Sequence, residues 1–155
     1  MKRKHLYSFI TIGLALILLN ACAKYNSAES GSSEPVETVS ATDLINQADA
    51  LYRRREDLAN ACESIVLLKR ARAADSGNFE ASWKLVQADY SLGKFSPDAK
   101  ESDKALADGI NAARAAIRLN PNKPDGHFWL GANLGGEAEK SPFTKGITAV
   151  GEIRD

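Results

Sequence analysis

Two stretches of this chain repeat one another, and the repeat limits the fold more than any other feature. Asp75-Ser76-Gly77-Asn78-Phe79-Glu80-Ala81-Ser82-Trp83-Lys84-Leu85-Val86 superposes without a gap on Asn120-Pro121-Asn122-Lys123-Pro124-Asp125-Gly126-His127-Phe128-Trp129-Leu130-Gly131, 45 residues further on. Each follows an alanine-rich helical stretch: Leu68-Lys69-Arg70-Ala71-Arg72-Ala73-Ala74 before the first, Ala113-Arg114-Ala115-Ala116-Ile117-Arg118-Leu119 before the second. The unit is helix, turn, helix, and a unit of this kind buries its apolar face only by stacking on its neighbours.

Apolar spacing carries the pattern outward from these stretches. Leu58, Ala61, Cys62, Ile65, Leu68 and Arg72 recur at three- and four-residue intervals and form one stripe that a neighbour must cover. The next helix shows Phe79, Trp83, Val86 and Tyr90 on one side and Leu85, Ala88 and Leu92 on another, as a helix with neighbours on both flanks requires. No segment alternates with a strand period. Helices are expected at about 42–54, 57–74, 79–92, 102–119, 124–138 and 143–155, the first with Ser40 or Thr42 as N-cap. Gly93 is read as a helix terminator, and Lys94 to Lys104 as a lengthened turn between helices, a place where added length costs little.

Small residues late in one helix, an Asn-Pro turn and a Leu-Gly pair in the next resemble the tetratricopeptide repeat. Ala116 to Pro121 followed by Leu130-Gly131 is the good match; Ala71, Asp75 and Leu85 form a degenerate one, with Ser76 for the turn proline and Val86 for the glycine. The fold class implied is all-α, a tetratricopeptide-like superhelix of stacked antiparallel helix pairs.

The N-terminus is of another kind. Lys2-Arg3-Lys4 precedes an apolar run, Leu6 to Leu19, that ends in Asn20-Ala21-Cys22. A basic start, a short apolar segment and a small residue before cysteine make a bacterial lipoprotein signal. About 14 apolar residues fall short of the roughly 20 that a spanning helix needs. Residues 1–21 are therefore expected to be removed and Cys22 acylated, holding the protein on a membrane of the cell envelope through its acyl chains. Ala23 stands where an Asp would favour inner-membrane retention, which favours the outer membrane. Residues 22–41, rich in Ser with Gly31 and Pro35, cannot bury enough surface to order themselves and read as a tether reaching about 25 Å. The folded domain is expected over 42–155.

Charge and chemistry-bearing residues exclude several function classes. Without residues 1–21 the 20 Lys plus Arg lose three and the 20 Asp plus Glu lose none, leaving a slightly acidic chain. Arg53-Arg54-Arg55 fans out around a helix rather than forming a stripe, so no nucleic-acid partner is implied. With Cys22 acylated, Cys62 is left as a lone packing thiol. Of the two histidines, His5 lies in the signal and His127 at a helix contact, so no His-pair metal site and no Ser/His/Asp set can be placed. Gly131, Gly135 and Gly136 lack the Lys-Ser/Thr of a phosphate loop. No enzymatic activity, metal or cofactor is expected.

Binding is the remaining class. In stacked repeats the first helix of each pair lines a groove, which selects Asn46, Asp49 and Arg53, then Glu80, Trp83, Lys84, Gln87 and Tyr90, then Asp125, Phe128, Trp129, Ala132 and Gly135. Aromatic area with amides and charges suits a peptide or a small organic ligand. Trp83, Phe128 and Trp129 equally suit inter-helix core. Asp89 falls where the pattern asks for an aromatic, so either the register moves to Tyr90 or a buried partner exists.

The lipoprotein signal, the segment Asn120 to Gly135 and the lengthened second unit together resemble the T-component family of tripartite ATP-independent periplasmic (TRAP) transporters, over about residues 45–155. That resemblance implies an accessory subunit that binds a ligand or the periplasmic substrate-binding protein, facing the periplasm. The alternative is a general envelope scaffold that binds peptide segments of partner proteins in its groove; self-association into a homo-oligomer stays open.

Overall fold

The computed structural model describes residues 39–141 and 146–154, with the side chains of 146–148 and 154 excepted. Among them are six helices: α1 (Ala41–Tyr52), α2 (Leu58–Ala74), α3 (Phe79–Phe95), α4 (Ala99–Leu119), α5 (Pro124–Lys140) and α6 (Gly146–Arg154). The expected all-α class and the pairing of adjacent helices are what the structure shows, an arrangement compatible with a helical-repeat superhelix. No described helix is long and apolar enough to cross a membrane. Cys22, the signal expected over residues 1–21 and the tether expected over 22–41 lie outside the described residues, except for the last three tether positions, where Ser40 caps α1 and Ala41 opens it.

Side-chain caps set the helix starts. Ser40 accepts from the Asp43 amide at 3.1 Å, Asp57 from Ala59 at 3.0 Å and Asn78 from Ala81 at 2.9 Å, while Pro124 opens α5 at a position where its missing amide costs nothing. In the turn before α3, Asp75 accepts from the Gly77 amide at 3.1 Å and from Asn78 at 3.2 Å.

The extra residues of the second unit do not form a long turn. Helix α3 runs through Gly93 to Phe95 and α4 starts at Ala99, because Asp98 accepts from the amides of Lys100 at 2.8 Å and Glu101 at 3.0 Å and nucleates α4 earlier than expected. Gly93 is a contact residue: a Cβ there would lie 2.6 Å from Leu106 Cγ, so the glycine lets α4 close on α3. Ser102 donates to the Gly93 carbonyl across the same contact. Both helices are lengthened, and the turn stays short.

First helices pack on one another, α1 on α3 and α3 on α5, and each second helix packs on the first helices beside it. The core between the layers holds Leu44, Ile45, Ile65, Leu68, Leu85, Val86, Leu106, Ile110 and Leu130, with Ala48, Ala61, Ala71, Ala81, Ala113 and Ala116 at the closest approaches. Ser64 donates to the Ala48 carbonyl at 3.1 Å. Cys62 is buried on α2 and disulfide-bonded, against the expectation of a lone packing thiol. His127 also departs from expectation. It is exposed, with Nε2 2.9 Å from the Pro121 carbonyl oxygen, and the neighbouring Gly126 occupies the inside position, where a Cβ would meet Ile117 at 3.0 Å.

Candidate functional site

Glu80, Trp83, Lys84, Gln87 and Tyr90 recur along one side of α3 at three- and four-residue spacing, and α1 and α5 flank that stripe. At its first-turn end Lys84 bonds Asp49 of α1 and, at 3.1 Å, Glu80, while its ammonium lies 5.4 Å from the centre of the Trp83 ring. Burial pulls the Lys84 pKa down, but the bonds to Asp49 and Glu80 outweigh it and hold the ammonium above its ordinary value. Further along, Tyr90 meets Trp129 of α5 at 5.7 Å between ring centres, and Phe128 stands edge-on to Trp129 at 5.0 Å.

Eight of the residues expected in the groove are placed by this geometry. Asp49, Glu80, Trp83 and Lys84 form one cluster, Tyr90, Phe128 and Trp129 a second, and half-buried Gln87 lies between them on α3. Trp83 and Trp129 are half-buried, which fits core and surface alike, whereas Phe128 is 66% exposed and is not core. Arg53 is exposed just beyond α1 and joins neither cluster; Asn46 is exposed on α1, Asp125 sits in the first turn of α5, and Ala132 and Gly135 are half-buried further along it. The register question at Asp89 resolves toward Tyr90, which makes the aromatic contact.

A second site was not legible as one. The second helices α2, α4 and α6 do not pack on one another, so cavities lie between them, floored by the first helices. Between α2 and α4 is a cavity of about 390 Å³, with Lys69 and Arg72 on one wall, Asp108, Asn111 and Ala112 on the other, and Leu85 and Asp89 of α3 beneath. Asp89 is 2% exposed, and its Oδ2 has no hydrogen-bond partner; the Arg72 Nε is buried and lacks one too. Burial pushes the Asp89 carboxyl up to about 8, with Lys69 opposing the shift and Asp108 adding to it. At the rim, Lys69 Nζ stands 3.9 Å from an Asp108 oxygen that also takes Lys104 at 2.6 Å. The signal in the sequence was an acid at a core position of α3 beside a basic pair and an acidic-amide pair, each three residues apart.

Between α4 and α6 a smaller cavity of about 260 Å³ is lined by Ile110, Leu134 and Ala149 and closed by a two-pronged Arg114–Glu152 pair, both contacts at 2.8 Å. Arg114 holds the Glu152 carboxyl below its ordinary value. Among the described residues, no group of three or more His, Cys, Asp or Glu side chains could hold a metal ion.

The sequence model of the family described as "Regulator of microtubule dynamics protein 1-3" (RMD1-3) matches residues 44–155, most of the chain and all of the helical stack but the first three residues of α1. The chain belongs to the RMD1-3 family. No curated protein and no solved structure matches it. Membership corrects the resemblance to the TRAP T-component lipoproteins, and with it both the transporter-subunit function and the envelope-scaffold alternative. The segment that carried the resemblance, Asn120 to Gly135, is a helix C-cap, an Asn-Pro turn and an aromatic helix start. Its caps and close contacts serve stacking, a need common to helical-repeat proteins, and so do not discriminate between families.

Proposed function

We propose that this chain is a non-catalytic member of the RMD1-3 family that regulates a protein partner by binding it one-to-one through the aromatic side of α3 and α5. The family's name assigns its members a part in microtubule dynamics; what is carried over to this chain is regulation, and binding as its means is inferred from the site. Phe128 carries the reading. A phenylalanine 66% exposed, edge-on to a half-buried tryptophan that itself meets a tyrosine, is an anchor of the kind that dominates protein interfaces. The Glu80, Lys84 and Asp49 cluster supplies a polar rim along the same helix.

A photo-crosslinking residue placed at 128 and, as a control, at exposed Ala73 of α2 tests this in cells. The expected result is one discrete adduct from position 128, competed away by excess unmodified protein, and none from position 73. Equal, uncompeted labelling at both positions refutes it. Purified tubulin in the same assay, read with assembly turbidity, asks whether the family's polymer is this chain's partner.

Attachment to a membrane through acylated Cys22 is proposed from the sequence alone. Labelled palmitate incorporated by the natural chain and not by Cys22→Ala, with a matching intact mass, supports the anchor; equal labelling of the two, or an unacylated mass for the natural chain, refutes it.

A further inference from the structure

We propose that the cavity between α2 and α4 binds a small zwitterion of the free α-amino-acid type, with its ammonium on Asp89 and its carboxylate on Arg72 and Lys69. The site is separate from the aromatic side of α3 and α5 and does not depend on the role given to it.

Two residues that line this one cavity carry unsatisfied atoms of opposite character just behind its surface. Asp89 Oδ2 is buried and lacks a donor; Arg72 Nε is buried and lacks an acceptor; they do not bond each other. Buried polar groups are nearly always paired, and two orphans around one space point to what belongs in it, a molecule with a donor at one end and an acceptor at the other. The surrounding charge agrees, with Lys69 beside Arg72 on α2 and Asp108 facing them from α4. A metal ion is disfavoured by the two cations, and a phosphate by the two carboxylates. The volume of about 390 Å³ is near the lower end of ligand pockets, roughly 300–1,000 Å³, and Leu85 and Ala112 leave a short apolar surface for a small side chain.

Binding has a proton signature. The charged groups around Asp89 are Lys69 and Arg72 from α2 and Lys104 and Asp108 from α4, and burial keeps the carboxyl protonated at neutral pH. A ligand ammonium seated on it favours the carboxylate, so the proton leaves to solvent as the ligand binds.

Calorimetric titration of the full chain at pH 7 with glycine, L-alanine, L-glutamate and L-lysine, run in phosphate and in Tris, tests both statements; propionate and methylamine serve as single-charge controls. At least one zwitterion should bind saturably with release of close to one proton, and neither control should bind. Asp89→Asn, which keeps the volume of a neutral acid, should weaken binding at least tenfold and abolish the proton release. Arg72→Gln, on the cavity wall, should weaken it to a similar degree with the helical circular dichroism unchanged. No heat from any zwitterion, equal binding of a control, or affinity unchanged in both variants would each overturn the proposal.

Discussion

Asp89 is the residue at which this chain departs furthest from ordinary packing, and its protonation ties stability to pH. In the folded chain burial raises its carboxyl to about 8, against an ordinary value of 3.8. As pH climbs from 3.8 the unfolded chain gives up this proton first while the folded chain keeps it. Folding then becomes less favourable up to about pH 8 and flat above. Asp89→Asn cannot ionise in either state, so the slope due to this group disappears. Thermal melting of the two proteins between pH 5 and pH 8 should show the variant gaining on the natural chain as pH rises; parallel curves would mean that Asp89 is solvated in solution. The Glu152 carboxyl runs the other way, because Arg114 holds it below its ordinary value and the stability it adds is lost on acidification.

At the scale of elements, two glycines that look alike in sequence have opposite roles. A methyl group at Gly93 would lie 2.6 Å and 2.7 Å from side-chain carbons of Leu106 and 3.2 Å from its backbone nitrogen, so α4 itself must move. Overpacking costs about 1–3 kcal/mol, and removing a glycine from a helix returns about 0.5–1 kcal/mol. Gly93→Ala should therefore destabilise by up to about 2.5 kcal/mol net. Around Gly131 nothing lies within 4 Å of the added carbon, and Gly131→Ala should stabilise by about 0.5–1 kcal/mol. Chemical denaturation of both variants checks the pair, and a shift of the same sign in both would contradict the close contact of α3 and α4.

The same positions show what the sequence could and could not convey. Apolar spacing located all six helices to within a few residues, since Ser40, Asp57, Asn78 and Pro124 act locally and are visible as letters. Gly93 was misread as a terminator, because a glycine that ends a helix and one that admits a neighbour are the same letter, and only Leu106, thirteen residues on, distinguishes them. The aromatic side of α3 and α5 was legible because it depends on repeat position. The Asp89 cavity was not, since it needs three helices brought together. Family membership was misjudged from a turn whose chemistry serves any stack.

For the folded unit as a whole, the pattern of neighbours ranks the helices by protection. Helix α3 packs against α1, α2, α4 and α5, whereas α1 meets α2 and α3, and α6 rests on α5 with the Arg114–Glu152 pair as its link to α4. In a stack whose stability is a sum of nearest-neighbour contacts, the ends open at lower cost than the middle, and amide exchange reads those costs separately. The amides of Leu85, Val86, Ala88 and Leu92, all buried, should exchange slowest, at or near the global unfolding rate. Those of α1 and α6 should exchange faster by local opening, and α6 faster still in Glu152→Gln, which removes one partner of its tie to α4 while leaving Ala149 in place. Hydrogen exchange followed by mass spectrometry resolves each helix. If α1, α3 and α6 exchange together, the six helices open as one cooperative body and stability is not divided along the stack.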